Sequence, residues 1–223
     1  MRIEAKDGEA TIWIYDAIGE MFGPEAVTAK GVRDRLQALR GIDRLTVRIN
    51  SPGGMVDDAV AIHTLLNEYQ ATKTVKVDGV AASAASVVAM VGQRIEMAAG
   101  AMLMIHNPWT VAIGDGNQLR KAAEVADKYR DSLVSIYGRR TGKSAEDIAA
   151  AMAAETWYTA EEAVAAGMAD GVGEAESVAA FVDPELFHYK HTPAALLKAA
   201  MTAEMPKPSL NAYRVALARA KVA

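Results

Sequence analysis

One run of small residues leaves this chain few ways to fold. From Gly79 to Met90 it reads Gly-Val-Ala-Ala-Ser-Ala-Ala-Ser-Val-Val-Ala-Met, and after a polar break it resumes as Ala-Met-Leu-Met-Ile-His-Asn-Pro, ending at Pro108. Val75 and Val77 predict a short buried strand on the way in, Gly79 a turn, and the Ala/Val/Met run over 81–91 a tightly packed helix. Ser83 then falls at a strand-to-helix corner, its hydroxyl pushed out of the turn beside the free N–H groups that open a helix. Met102 to Ile105 predict a second strand, with His106 where it ends and the turn residues Asn107 and Pro108 beyond. A serine hydroxyl needs a base to become a nucleophile, and imidazole is the base whose ordinary pKa lies nearest neutrality. Ser83 and His106 are therefore the first candidate pair.

The rest of the chain supplies a frame for that pair. Residues 10–15 (Ala-Thr-Ile-Trp-Ile-Tyr) predict a strand, broken by Gly19, Gly23 and Pro24, and the spacing of Val32, Leu36 and Leu39 predicts an amphipathic helix over 28–39. Leu45 to Ile49 form a short strand that runs into Asn50-Ser51-Pro52-Gly53-Gly54, after which Val60, Ile62, Leu65 and Leu66 mark a helix. Alternation of strand and helix predicts an α/β fold with parallel pairing, in which ligands meet the carboxyl ends of the strands. Segments 50–54 and 79–83 and His106 all fall at such ends.

Residues 117–137 predict a long helix with a wide apolar face, closed by Gly138 and Gly142. A shorter one follows over 145–152 with Ser144 as cap, and a last one with a capping box at Thr159 and Glu162 and a stop at Gly167. The length of the first predicts an oligomerisation arm. Residues 1–172 read as one domain and 173–223 as an appended tail, partly helical or mobile, with prolines at 184, 193, 206 and 208 and amphipathic stretches over 194–201 and 210–222.

Composition narrows the function. The chain has 223 residues, 51% of them hydrophobic, which suffices for one domain with a sizeable core. A net charge of −4 with scattered Lys and Arg leaves no footprint for nucleic acid. There is no cysteine, hence no thiolate nucleophile or cysteine-held zinc, and the N-terminus has no apolar leader, so the expectation is a cytoplasmic protein away from the membrane.

Each candidate has a plainer rival. Ser83 could be a packing residue, Ser86 is a competing nucleophile one turn deeper, and His63 fits a core position in its helix. His188 and His191 lack the company a metal site requires, and neither metal nor cofactor is expected. Pro52-Gly53-Gly54 could be only a tight turn; functionally, glycine there would let a backbone N–H reach a carbonyl oxygen, as an oxyanion hole requires.

Asn-Ser-Pro-Gly-Gly at 50–54, Gly-Val-Ala-Ala-Ser-Ala at 79–84 and Met-Ile-His-Asn-Pro at 104–108 resemble, in order and spacing, the signature segments of the ClpP-type serine peptidases. The resemblance continues through Thr141-Gly142-Lys143 and the Glu155–Asp170 segment, covering roughly residues 10 to 172. Glu-Thr-Trp before the last helix, Ala-Ala-Ser-Ala-Ala-Ser at the nucleophile and the appended tail look most like the ClpP-related head-maturation (prohead) proteases of tailed phages and prophages.

The resemblance implies a crotonase-like α/β spiral core with a protruding handle helix, a homo-oligomeric ring, and a protein or peptide substrate. It implies Ser83 as nucleophile, His106 as base, and the amides of Gly54 and Ala84 as oxyanion donors. Glu155 stands where the family usually has aspartate; were it turned to solvent, Thr156 or Asp131 would be the substitutes, or the site a dyad. ATP-dependent members begin with an apolar axial loop, whereas this chain starts a few polar residues before its first expected strand, which argues against an unfoldase ATPase partner. A phage-derived protein would act in the host cytoplasm or the immature capsid, with self-cleavage in 173–223 as one further expectation. The alternatives are the proteolytic subunit of an ATP-dependent Clp-type protease, a crotonase-like acyl-CoA enzyme, and an inactive assembly protein.

Overall fold

The computed structural model describes residues 1–173 and 179–198. Its centre is a sheet of eight strands, of which five run parallel side by side. Strands β1 (Arg2–Lys6) and β2 (Glu9–Ile14) form an antiparallel hairpin. Its turn, Asp7-Gly8, has positive φ at both residues (51° and 80°), the conformation that matches the twist of a two-residue hairpin. β2 then pairs in parallel with β3 (Arg44–Ser51), β3 with β4 (Thr72–Ala82), β4 with β5 (Arg94–Ala98), and β5 with β8 (Gly171–Gly173). Alternation is strict where one face is covered: Leu45, Val47, Ile49 and Ser51 of β3 are buried and their neighbours are not.

β4 departs from expectation. A strand of 75–77 and a turn at Gly79 were predicted, but the strand runs eleven residues, through Asp78 and Gly79 to Ala82. It continues because it changes neighbours. Up to Val77 it pairs with β5, and from Val80 to Ala82 it pairs in parallel with β6 (Met102–Ile105), which also carries the antiparallel β7 (Thr156–Thr159).

On the other edge the register slips. Ile49 faces Val77 but Ser51 faces Ala81, so Asn50 alone spans Asp78 to Val80. Its Oδ1 accepts the Val80 N–H at 3.1 Å, satisfying a donor the slipped ladder leaves over. Asp78, fully buried, receives the Tyr15 hydroxyl (2.7 Å) and both Nε and Nη2 of Arg48 (2.9 and 2.7 Å), which pins the irregularity.

Helices α1 (Ala29–Ala38, capped by Thr28), α2 (Val56–Glu68) and α3 (Ala84–Ala89) pack on one another and on the sheet, α3 with all six residues buried. The helix expected over 81–91 is thus shorter, its first residues belonging to β4. Helix α4 (Gly116–Thr141), about 39 Å long at 1.5 Å per residue, is buried only near its end, at Leu133, Val134, Ile136 and Tyr137. Its start is two turns of exposed surface capped by Asp115. α5 (Ala145–Ala153) and α6 (Ala160–Ala165) carry the expected caps at Ser144 and Thr159.

The stretch expected as a tail is packed over its described part. α7 (Ala194–Lys198) and the loop before it place Val182, Phe187 and Leu196 on Val80, Ala82 and Met104, a second small core on the outer side of β4 and β6. The amphipathic stretch 210–222 lies outside the described residues. No described helix is long and apolar enough to cross a membrane.

Candidate active site

Ser83 joins β4 to α3 with φ 52° and ψ −122°, a region costing a non-glycine residue about 1–3 kcal/mol. The surroundings hold it there. Its N–H donates to the Met104 carbonyl (2.9 Å), its carbonyl accepts the Ser86 hydroxyl (2.6 Å), and Ser86 in turn shares a hydrogen bond with the buried Tyr137 hydroxyl (2.8 Å). Ser86, the rival nucleophile, is therefore fully buried and engaged in fixing the corner.

Below the corner lies the 50–54 turn. A Cβ on Gly53, whose φ is 102°, would stand 2.6 Å from the Ala82 oxygen and 2.9 Å from Ser83 Cβ; one on Gly54, at φ 144°, would meet the Ile18 oxygen at 2.0 Å. Only glycine fits either place, and the turn lies against the serine for that reason. Among the described residues neither Gly54 N nor Ala84 N donates to a protein acceptor, so both amides are available to a ligand.

His106, at the end of β6, stands with Nε2 2.7 Å from Ser83 Oγ. Burial pushes its pKa from the usual 6.5 down to about 4, the Glu155 carboxylate working the other way without prevailing. The imidazole is neutral at physiological pH, the state a base requires.

Glu155, between α5 and β7, is 8% exposed and has φ 51°. Its carboxylate faces the site and receives the backbone N–H groups of His191 (2.7 Å) and Lys190 (2.9 Å), with Trp157 Nε1 farther off at 3.4 Å. Among the described residues no hydrogen bond joins it to His106. The substitutes considered for it are placed elsewhere: Thr156 donates its hydroxyl to the Ala151 carbonyl, and Asp131 is exposed on α4, paired with Arg130. His63 lies on α2 partly buried, less enclosed than the core position its spacing suggests, its pKa lowered by burial and by Arg139.

Tyr189 was not foreseen. Its ring stands edge-on to His106 (centroids 5.2 Å) and to Trp157 (5.9 Å), and its hydroxyl donates to the Pro52 carbonyl at 2.6 Å. Burial pushes the phenol's pKa up; the Ser83 hydroxyl beside it opposes that shift and the Glu155 charge adds to it. No local pattern marks Tyr189, because apart from Phe187, two residues before it, the groups it meets in the site (Pro52, His106 and Trp157) are distant in sequence.

A strained serine and a neutral histidine in hydrogen-bond contact at the carboxyl ends of parallel strands define a serine hydrolase type of centre. The Clp protease family model matches residues 9–176. An ATP-dependent Clp protease proteolytic subunit of Leuconostoc citreum is 33% identical over 141 residues, 61% of this chain and 70% of that one. Proteolytic subunit 1 of Chlamydia abortus is 31% identical over 184 residues, 74% of this chain and 95% of its own. A ClpP1 point mutant of Listeria monocytogenes shares the fold with a TM-score of 0.65 at 24% identity, over 74% of this chain and 92% of that structure. The chain belongs to the Clp protease family, the ClpP-type serine peptidases, and is a hydrolase of that class.

Proposed function

We propose that the chain is an endopeptidase in which Ser83 is the nucleophile, His106 the general base, and the Gly54 and Ala84 amides the oxyanion donors. Glu155 is the acid available to orient the imidazole. The observation that carries this reading is the 2.7 Å contact of Ser83 Oγ with His106 Nε2 at a corner held under backbone strain. Ser83 Oγ bonds to the peptide carbonyl carbon while its proton passes to His106 Nε2. The oxyanion rests on the two amides, the C–N bond breaks, and the amine leaves with the proton from His106. Water, deprotonated by the same imidazole, then releases the acyl group and restores the serine.

Self-compartmentalisation fits the exposed Trp109, Val111 and Ile113 beside α4 and Leu119 and Val125 upon it, apolar groups that a second copy would cover. The finer reading is maturation of capsid or scaffold protein, in the host cytoplasm or an immature capsid, without an unfoldase ATPase; the motif variant and the appended segment support it. The relatives, proteolytic subunits of ATP-dependent Clp proteases, favour a second reading, the same role for this chain. Treatment with a fluorophosphonate and peptide mass spectrometry tests the chemistry: an adduct on Ser83, lost in Ser83→Ala and kept in Ser86→Ala, is the expected result, and no adduct in any variant described below refutes it. Stoichiometric, nucleotide-dependent binding to an unfoldase ring would move the partner assignment to the second reading.

A further inference from the structure

We propose that residues 179–198 are an intramolecular inhibitory strap: they occupy the substrate cleft of their own chain, the Tyr189 ring and hydroxyl spanning it while the amides of Lys190 and His191 engage Glu155. The inference rests on the peptidase reading and adds a regulation to it.

The contacts divide into an anchor and a plug. At the anchor, Val182, Phe187 and Leu196 bury themselves on Val80, Ala82 and Met104, Phe187 stacks on Phe22 with ring centroids 5.3 Å apart, and Asn50 Nδ2 donates to the Ala179 carbonyl at 3.0 Å. These surfaces are the outer sides of the same strand ends that carry Ser83 and His106.

At the plug, Tyr189 joins the two walls of the site. Its hydroxyl reaches Pro52, in the turn that supplies the Gly54 amide, and its ring rests on His106 and Trp157 opposite. A substrate carbonyl bound by the Gly54 and Ala84 amides, with its carbon over Ser83 Oγ, would need the space between those walls. The strap and a peptide therefore compete for one place.

The next two residues act on the acid. Lys190 N and His191 N approach the two Glu155 oxygens at 2.9 and 2.7 Å, one amide on each oxygen, so the strap holds the carboxylate toward itself while no hydrogen bond joins it to His106 among the described residues. Displacement of the strap would open the cleft and release Glu155 together.

The test uses full-length protein and two readouts: the rate of Ser83 phosphonylation and the hydrogen exchange of the strap amides. In the wild type the Lys190 and His191 amides are expected to be protected. Tyr189→Ala, which removes the plug, and Val182→Asp, which loosens the anchor without touching the site, are both expected to lose that protection and to label Ser83 about tenfold faster or more, a change equivalent to a modest shift of a closed equilibrium. Tyr189→Phe, which keeps the ring but loses the hydroxyl with its bond to Pro52 and its place beside Ser83, should fall between. Full exchange of those amides in the wild type overturns the strap. So does labelling of Tyr189→Ala and Val182→Asp at the wild-type rate once the strap has loosened; the segment is then a structural cover, and the peptidase reading stands. Absence of labelling in every variant, with the strap loosened, refutes the peptidase reading and the inhibition with it.

Discussion

The two sides of the site are held by different means. Ser83 and Glu155 both have φ near 50° without being glycine. Ser83 is locked from inside: β6 takes its N–H, Ser86 its carbonyl, and Gly53 packs beneath it. Glu155 has its carboxylate held by residues 35 and 36 positions on, in a segment that could leave without unpairing any strand of the sheet. The nucleophile is thus a property of the core, and the acid a property of what lies over it. Such a division lets one element be regulated while the other stays preorganised.

The largest effect that follows is on the locked side. Ser83→Ala should lower peptide hydrolysis by at least about 10³-fold while leaving the thermal midpoint unchanged or higher, since one chemical group carries the whole acylation step. Measurable turnover that survives this change would move the nucleophile away from the corner and undo the comparison.

Acid titration comes next. Between about pH 6.5 and 4 the unfolded chain binds a proton at His106 and the folded chain does not, so stability is complete above 6.5 and falls as pH drops through that window. The shift from 6.5 to about 4 corresponds to roughly 3 kcal/mol. His63, lowered by burial and by Arg139, acts in the same direction. Urea midpoints at pH 7, 5.5 and 4 should fall more steeply for the wild type than for His106→Gln; parallel slopes would mean that the imidazole is not buried as described.

Gly53→Ala should cost about 2 kcal/mol or more, because a side chain there meets Ala82 and Ser83 at a φ of 102°. Calorimetry reads the stability, and phosphonate labelling should slow in step as the corner shifts. A variant with wild-type stability and labelling would show that the turn gives way easily.

The locked side was also the legible one. Glycines, small residues and a strand-end histidine report local geometry, and the rule that parallel strands gather their carboxyl ends on one edge places 50–54, Ser83 and His106 together. What stayed hidden depends on distant partners. β4 continues past Gly79 because β6 replaces β5 along it, and no period in the sequence announces that exchange. Likewise the Asp78 cluster with Arg48 and Tyr15 ties β4 to β3 and to the residue that follows β2, and Tyr189 meets Pro52 across 137 positions. The caps at Ser144 and Thr159 were readable because a cap and its amide lie three residues apart.

The smallest effect is the sharpest test of the comparison, because its sign reverses. Glu155→Gln replaces two acceptor oxygens by one oxygen and an NH₂ group, which cannot receive both the Lys190 and His191 amides. In the otherwise unaltered chain this weakens the strap, so Ser83 should label a few-fold faster. With Tyr189→Ala already present the strap is gone, and the same substitution removes the carboxylate that would steady a protonated imidazole, so labelling should slow a few-fold. Non-additivity of this kind is expected for groups that act through one network. If Glu155→Gln changes the rate equally and in one direction in both backgrounds, the acid answers to His106 alone, and the two sides of the site are held no differently after all.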